Sequence, residues 1–482
     1  MKFRPNLPLR RGQLFLATLA TVGATIGACA CGASPDPTNV SVAIDATLPH
    51  QTLAGFGAAT AYQPYLLSGR NDDIYKVLFV DSGLDILRLG NWFQNQGTNT
   101  TPATPFSDQA GLQIVQKATA ARGGVPPKIL MSSWTPPAYL KSNGVTKTGY
   151  GNTTTPAGTL IQKDGAFAYA DFADWWVRAL QAYAAQGIVP DYVSIQNEPD
   201  FFINQWETCV FGTTEGAMVA GIPGAGYGQA LDAVYRGIQA AGLASPPVLL
   251  GPETTGFAND IVQRYMNGVD PTEIGGVAHH LYGATGENPA PDSFDGAMRD
   301  VARTGAAVGL PTFMTEYSPN APTMFDTALL INNAMTVENA SAYIYWELIW
   351  NDANPQTGLV SVRQGAGNAP YTINDIYYAL VHFARWTDPG WVRVDTKVNA
   401  SSVRASAYLS PDGAALTLVL LNADTADHFV AVNSGTFPYG TLAVYRSSDS
   451  ASGSERAAAA ALEADGSLAM PPRSIATVTF TP

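Results

Sequence analysis

The sequence predicts an α/β protein made of a (β/α)8 TIM barrel with an appended all-β sandwich side domain. Three observations support this prediction. The 482 residues are enough for a barrel-sized domain and a smaller partner. Short apolar, β-rich runs alternate with longer helical segments through most of the chain. From about Trp386 onward, short β-rich runs separated by turn-forming residues replace this alternation.

Eight strand–helix pairs make up the predicted barrel. The predicted strands cover residues 53–58, 85–89, 128–132, 192–196, 248–251, 277–281, 312–315 and 342–345. The predicted helices cover residues 72–81, 109–122, 166–186, 228–241, 259–267, 294–308, 325–338 and 373–385. Near-continuous apolar strands are typical of parallel strands covered on both faces. Eight such units indicate a closed barrel. The lack of a glycine-rich loop after the first strand disfavours a dinucleotide-binding fold.

The change in texture sets the predicted domain boundaries. Residues 53–385 are assigned to the barrel and residues 386–482 to the sandwich. Residues 40–52 come before the first barrel strand and begin with alternating apolar and polar positions, so they are assigned to the sandwich as well. Residues 32–39 are interpreted as a linker, and the alanine-rich stretch 455–462 as a loop or short helix.

The first 31 residues are interpreted as an export signal, because basic residues precede a short apolar run at 14–28. The residues ending at Cys29 resemble a bacterial lipobox, in which the cysteine is lipidated, and ordinary cleavage nearby is the alternative. We therefore expect a secreted or cell-surface protein, tethered to a membrane if Cys29 is lipidated. With Cys31 in the tether, Cys209 is expected to be unpaired, and no disulfide framework is predicted.

Composition and charge exclude several classes of function. Hydrophobic residues make up 46% of the chain and charged residues 13%, which argues against disorder. The formal charge of −13 repels phosphate backbones, so nucleic acid is not expected as a partner. The same charge gives no electrostatic help in gathering a polyanionic substrate.

Two glutamates close predicted barrel strands. Glu198 follows strand 4 in the sequence Ser-Ile-Gln-Asn-Glu-Pro, and Glu316 closes strand 7 in Phe-Met-Thr-Glu-Tyr. Catalytic groups of TIM barrels project from the C-terminal ends of the strands. Retaining glycosidases need two carboxyl groups about 5 Å apart on either side of the sugar bond. Glutamates are usually solvated surface charges, but two that end apolar strands on opposite sides of a barrel are predicted to be a catalytic pair.

The motifs around these glutamates resemble glycoside hydrolase family 30, and most closely its xylanase and glucuronoxylanase branch. The resemblance extends over about residues 55–385 and, more loosely, through the sandwich. The motifs are residues 55–57 (Gly-Phe-Gly), 86–88 (Ile-Leu-Arg), 133–143 (Ser-Trp-Thr-Pro-Pro-Ala-Tyr-Leu-Lys-Ser-Asn), 194–200, 280–283 (His-Leu-Tyr-Gly) and 314–316 (Met-Thr-Glu). The 133–143 segment is specific, whereas Asn-Glu-Pro is shared by many glycosidase families.

The resemblance implies a site of seven residues: Glu198, Glu316, Asn197, Trp134, Tyr282, Arg88 and Trp346. Glu198 would be the acid/base and Glu316 the nucleophile, held ionised by Arg88 and hydrogen-bonded by Tyr282. Asn197 would bind the 2-hydroxyl of the cleaved sugar. The two tryptophans would offer apolar faces to sugar rings. As alternatives, Arg88 could form a structural ion pair, and the tryptophans could be ordinary barrel packing.

Three further acids and two histidines are expected near the predicted mouth. Glu207, Glu253 and Glu347 are interpreted as structural acids, with binding of sugar hydroxyls as the alternative. The pair His279-His280 suggests a metal, but adjacent strand residues point to opposite faces and no third ligand is evident. No metal or other cofactor is therefore predicted, because side chains supply both proton transfer and the nucleophile.

The chain departs from the glucuronoxylanase pattern in one segment. Those enzymes grip the acid side group of their substrate with an arginine after the eighth strand, whereas residues 346–352 here contain Glu347 and Asp352 but no arginine. We therefore expect a monomeric endo-β-1,4-xylanase that does not depend on glucuronate side groups. The alternatives are family activities on glucuronoxylan, β-1,6-galactan, β-1,6-glucan or glucosylceramide. Outside the family they are a non-catalytic polysaccharide-binding protein, or a metal-dependent hydrolase that uses His279 and His280.

Overall fold

The computed structural model describes residues 39–94, 108–147, 155–203, 205–257, 260–283, 288–354, 357–363, 370–450 and 453–482. The interpreted export signal, Cys29, Cys31 and residues 32–38 of the interpreted linker lie outside these residues. Cys209 is buried and has no disulfide partner within the described part of the chain. Among the described residues, none of the helices combines the length and hydropathy that crossing a membrane requires.

Eight parallel strands close into a barrel, as predicted. Barrel strands 1 to 8 are Gly55–Ala59, Ile86–Gly90, Lys128–Ser132, Tyr192–Ser194, Val248–Gly256, Gly276–Tyr282, Thr312–Glu316 and Ala342–Tyr345. The barrel closes where strand 8 pairs with strand 1. This arrangement places the C-terminal ends of all eight strands at one mouth.

Helices follow the barrel strands and cover the outside of the barrel. They are Tyr65–Ser68, Asp72–Lys76, Gln109–Ala121, Tyr169–Ala184, Tyr227–Ala241, Ile261–Met266, Asp295–Val308, Met324–Asn333 and Asp375–Ala384. π-Helical turns at Val77–Asp81 and Ala334–Glu338 extend two of them. The prediction of one helix over 166–186 is wrong at its start, because Ala166–Phe167 forms a hairpin with Gln162–Lys163.

The side domain is a nine-stranded sheet with its own apolar core. In spatial order its strands are Gly453–Ala460, Thr441–Ser450, Ile475–Thr481, Leu416–Asn422, Val403–Leu409, Val392–Val398, Asn39–Thr52, His428–Asn433 and Leu468–Met470. The first described strand therefore lies among C-terminal strands. The prediction of a loop or short helix over 455–462 is wrong, because strand pairing with Thr441–Ser450 outweighs the helix preference of alanine.

The barrel and the side domain meet along helix Asp375–Ala384, which packs against strands of the side sheet. His382 of this helix is fully buried between the hydroxyls of Thr477 and Ser447, at 2.8 and 2.7 Å. We call this contact the seam.

Candidate active site

The barrel interior is divided into an apolar floor and a charged mouth. Seven buried side chains form the floor: Ile86, Leu130, Leu250, Ala278, Phe313, Ala342 and Ile344. Because side chains alternate along a strand, the residue two positions after a floor residue points into the same interior, one layer higher. Alternation therefore places Arg88, Ser132 and His280, all fully buried, in the mouth.

Glu316 enters the mouth through a β-bulge. Ala278 pairs with Phe313 whereas His280 pairs with Glu316, so barrel strand 7 holds one residue more than strand 6 over this interval. Simple alternation from Phe313 would turn Glu316 away from the interior. The additional residue shifts the in-and-out alternation of side chains along strand 7 by one position, and Glu316 therefore faces the interior beside His280.

A second irregularity brings a third carboxylate, that of Glu253, into the mouth. The register of strand 5 against strand 6 shifts between Pro252 and Thr254, which leaves Glu253 as an extra residue with a φ of 57°. Glu198 also has a positive φ, of 48°. This left-handed conformation costs residues other than glycine on the order of 1–3 kcal/mol. The N–H of Glu198 donates to the backbone carbonyl of Glu253 at 3.0 Å, so the two strained residues support each other.

Arg88 lies at the centre of the mouth. Its Nη1 donates to Glu316 Oε2 at 2.6 Å, and its Nη2 donates to Asn197 Oδ1 at 2.6 Å. The same Nη2 lies 3.1 Å from Glu253 Oε1, and the guanidinium lies 4.7 Å from the ring centroid of Trp134. A planar guanidinium that keeps its charge can hold several acceptors at once. Arg88 therefore fixes the relative positions of two carboxylates and an amide.

His280 connects Glu198 to the other charges of the mouth. Its Nδ1 lies 3.1 Å from Glu198 Oε1, and its Nε2 lies 3.8 Å from Glu253 Oε1. Burial by itself lowers the pKa of His280, but the surrounding carboxylates, Glu316 first, raise it to about 9. Burial raises the pKa of Glu198 to about 7, although the hydrogen bond from His280 acts in the opposite direction. Glu198 can therefore hold a proton near neutral pH.

The charges of the mouth balance when Glu198 is protonated. Two cations, Arg88 and His280, face the carboxylates of Glu253 and Glu316. Burial would raise the pKa of Glu253, but Arg88 and His280 outweigh it and lower that pKa to about 2. A further negative charge on Glu198 would have no unshared cation beside it, and uncompensated buried charge is costly. Glu198 is therefore the carboxyl group that retains the proton.

The carboxyl groups of Glu198 and Glu316 lie close together. One oxygen of each, with a ring nitrogen of His280, lie within 4.8 Å of one another. This spacing is that of retaining glycosidases, about 5 Å, and is shorter than the roughly 6.5–9.5 Å of inverting ones. Tyr282 also hydrogen-bonds the Glu316 carboxylate, and burial followed by the charges of Glu316 and Glu198 raises the pKa of its hydroxyl well above the usual range.

Glu198, His280 and Glu316 are residue types that can also ligate a metal, but their contacts in this mouth do not suit a metal ion. Glu316 is engaged by Arg88 at 2.6 Å, and the carboxylates favour the protonated form of His280. A metal needs neutral imidazole and would meet the guanidinium at short range. The donor set therefore does not fit a cation.

Four aromatic side chains, Tyr62, Trp92, Trp134 and Trp346, form a cluster beside the carboxylates. The ring centroid of Tyr62 lies 5.7 Å from those of Trp92 and Trp134 and 6.0 Å from that of Trp346. Trp134 is buried, whereas the other three are partly exposed. We call this group the aromatic cluster. Its rings offer apolar surface next to polar groups, as recognition of a sugar requires.

The structure brings all seven predicted site residues to this mouth. It adds His280, to which the sequence assigns no catalytic role, and Glu253, which the sequence predicts to be a structural acid. The signal for His280 was present, because it precedes Tyr282 by two residues and shares its face of the strand. Glu347, interpreted from the sequence as a structural acid, is fully buried and accepts from the Tyr62 N–H at 3.2 Å, so a sugar decoration would not meet it.

Two carboxyl groups at this spacing can attack and protonate one glycosidic bond, and the aromatic cluster beside them can hold a sugar ring, so the mouth has the chemistry of a glycosidase. Comparison with known proteins agrees with this class. Residues 390–478 match the glycosyl hydrolase family 30 beta sandwich domain. The chain is 24% identical over 417 residues to Endo-1,6-beta-D-glucanase neg1 of Aspergillus fumigatus. The aligned residues cover 79% of this chain and 80% of that protein. It is 24% identical over 388 residues to Glucuronoxylanase XynC of Bacillus subtilis. The aligned residues cover 78% of this chain and 77% of that protein.

The fold also matches solved structures. The catalytic domain of family 30 xylanase C from Talaromyces cellulolyticus superposes with a TM-score of 0.71 at 19% identity, over 92% of this chain and 100% of that one. Together the matches confirm the resemblance to glycoside hydrolase family 30, and the chain is a glycoside hydrolase.

Proposed function

We propose that the protein is a retaining endo-β-1,4-xylanase that does not depend on glucuronate side groups. The observation that carries the mechanism is the placement of carboxylate oxygens of Glu198 and Glu316 within 4.8 Å of each other at the mouth of the barrel. Xylan as the substrate rests on the motifs that resemble the xylanase branch of the family.

The reaction proceeds by two displacements. In the first, a carboxylate oxygen of Glu316 bonds to the anomeric carbon while Glu198 gives its proton to the departing glycosidic oxygen. In the second, Glu198 takes a proton from water, the water oxygen bonds to the anomeric carbon, and the bond to Glu316 breaks. Two inversions give net retention.

The surrounding residues suit these two steps. Because Arg88 occupies the amide oxygen of Asn197, that amide presents its NH2 group to the 2-hydroxyl of the sugar. His280 occupies Oε1 of Glu198, so the acidic proton belongs on Oε2. After proton transfer the same imidazolium stabilises the Glu198 carboxylate, which then acts as the base.

Independence from glucuronate rests on the loop after barrel strand 8. Arg363, an arginine of this loop outside the segment 346–352, places its Nε 3.6 Å from the carboxylate of Asp352. Its charge is therefore already balanced within the chain. An anionic side group there would meet the like charge of Asp352 as well as Arg363, and an exposed ion pair with Arg363 would contribute only about 0–1 kcal/mol.

A panel of polysaccharides with sizing of the products tests the proposal. We expect arabinoxylan and glucuronoxylan to release reducing ends at similar rates and to yield a series of oligosaccharides. Cleavage of glucuronoxylan only beside its uronic acids would contradict it. A second candidate, endo-β-1,6-glucanase, is favoured by the relatives of that name in Aspergillus fumigatus and Neurospora crassa, at 24% and 23% identity. Exclusive cleavage of β-1,6-glucan would establish it.

We also propose that the protein is exported and acts as a monomer, tethered to a membrane if Cys29 is lipidated. The basic and apolar N-terminal segment and the lipobox-like residues before Cys29 support export and the membrane tether. Mass spectrometry of the mature N-terminus distinguishes a lipidated Cys29 from ordinary cleavage. A full-length chain retained in the cytoplasm would contradict export, and an oligomer on size-exclusion chromatography would contradict the monomer.

A further inference from the structure

A buried lysine ties together two loops at the edge of the barrel mouth. Lys141 is only 3% exposed, and its ammonium donates to the backbone carbonyls of Thr208 at 2.5 Å and Thr146 at 3.3 Å. One carbonyl belongs to the loop after barrel strand 3 and the other to the loop after strand 4. A buried ammonium without acceptors would be costly, so these contacts fix the positions of the two loops relative to each other.

An ion pair joins the same two loops. Its members are Lys147, the residue after Thr146, and Glu207, the residue before Thr208. Lys147 Nζ lies 3.1 Å from Glu207 Oε1, and the Tyr62 hydroxyl donates to Glu207 Oε2 at 3.1 Å. The Glu207 side chain remains 13% exposed. Each carboxylate oxygen can accept two hydrogen bonds. Both oxygens of Glu207 therefore keep acceptor capacity while their direction is fixed by partners.

Glu207 lies one side chain away from the catalytic carboxyl groups. Tyr62, which holds it, is the central ring of the aromatic cluster. Burial raises the pKa of the Tyr62 hydroxyl well above its usual range, and the charges of Glu207, Glu316 and Glu198 raise it further. An oriented carboxylate at the border of an aromatic cluster can accept hydrogen bonds from a ring hydroxyl while the ring contacts the aromatic faces.

We propose that Glu207 binds the substrate, accepting hydrogen bonds from hydroxyls of a neutral sugar unit that adjoins the aromatic cluster, with Tyr62 as the residue that orients it. This inference rests on the proposed glycanase function. The competing role for Glu207 is a purely structural link between the two loops, which would need the ion pair but no sugar.

Two single variants separate these roles. Glu207→Gln and Lys147→Met both break the ion pair, but only the first removes the charged acceptor. We expect Glu207→Gln to raise KM for oligosaccharides roughly 10- to 100-fold, the weight of one hydrogen bond to a charged group, with a much smaller change in kcat. Lys147→Met should change KM less than about threefold, because Tyr62 still orients the carboxylate.

Binding is measured in a second background so that folding and chemistry do not interfere. With Glu316→Gln as the inactive parent, calorimetric titration of the oligosaccharide should show the same loss of affinity for Glu207→Gln, at an unchanged thermal midpoint. The inference would be overturned if Glu207→Gln kept the KM and the affinity of the wild type. It would also be overturned if both variants lowered the thermal midpoint equally and changed no kinetic constant. If the wild-type chain cleaves none of the β-glycans, the proposed function itself fails, which is a distinct result.

Discussion

Two fully buried histidines show how differently the barrel mouth and the seam treat charge. Both ring nitrogens of His382 at the seam lie against hydroxyl groups, and burial lowers its pKa to about 3. His280 at the mouth is equally buried but meets three carboxyl groups, and its pKa is raised to about 9. Burial alone makes a histidine neutral, and neighbouring charges reverse the outcome. The mouth therefore differs from the seam in holding several buried charged groups close together, and the proposed reaction uses these charges.

The largest expected effect is at the nucleophile of the mouth. Glu316→Gln should lower kcat roughly 10⁴-fold or more on every substrate, because the amide cannot form the glycosyl intermediate. The amide oxygen can still accept from Arg88, so circular dichroism and the thermal midpoint should show a folded protein. Asp352→Asn, an exposed acid near the same mouth, is the matched control and should retain activity. Activity within tenfold of the wild type would remove Glu316 from the mechanism.

The acid/base glutamate should show a dependence on the leaving group. Glu198→Ala should lose roughly 10²- to 10⁴-fold on polysaccharide, whose leaving group needs a proton, and lose less in the first step with an activated aryl glycoside. Azide, which needs no general base, should restore turnover and yield a glycosyl azide of retained configuration. The wild-type enzyme with azide is the control. Absence of rescue together with equal losses on both substrates would contradict the role of Glu198.

The mouth histidine should control the pH profile. Because the first step needs protonated Glu198, kcat/KM of the wild type should fall on the alkaline side with an apparent pKa near 7. The hydrogen bond from His280 lowers the pKa of Glu198, so His280→Asn should move this limb to higher pH while reducing kcat. His279→Asn is the control, since His279 points to the opposite face and bonds Glu338 at 2.9 Å. A limb that stays in place or moves to lower pH would refute this coupling.

The smallest effect is expected at the seam, and it concerns stability alone. His382→Gln should lower the free energy of unfolding at pH 7 by about 1–3 kcal/mol through weakened hydrogen bonds. The folded-state pKa of His382 lies below the ordinary value of 6.5, so the wild type binds fewer protons when folded and loses stability as pH falls from about 6.5 towards 3. The variant should lack this acid-dependent loss in denaturation curves, with an unchanged pH profile of activity. A shifted activity profile would show that seam and mouth are coupled.

Periodicity accounts for much of the fold and the site. Apolar runs predict all eight barrel strands, and their position at strand ends singles out Glu198 and Glu316, but the bulge of strand 7 decides that Glu316 faces the interior. The first strand, Asn39–Thr52, whose alternation the barrel does not need, pairs with Val392–Val398 and His428–Asn433 of the side sheet.

The remainder depends on features that a period of two residues does not contain. Glu253 reaches the mouth only because strand 5 has an irregular register and a positive φ at that residue, which no local motif announces. Glu347 follows Trp346 in a segment expected to face the substrate, yet it turns into the core to bond Tyr62. The alanine-rich strand Gly453–Ala460 is decided by its long-range partner and not by its own propensity.

The stereochemistry of hydrolysis tests the central claim most directly. Proton NMR of the first product released from a soluble oligosaccharide, recorded before mutarotation, identifies the anomer. Two carboxyl groups that attack and protonate the same bond at the spacing of Glu198 and Glu316 predict initial release of the β-anomer. Initial release of the α-anomer would mean a single displacement by water and would contradict the mechanism proposed for this mouth.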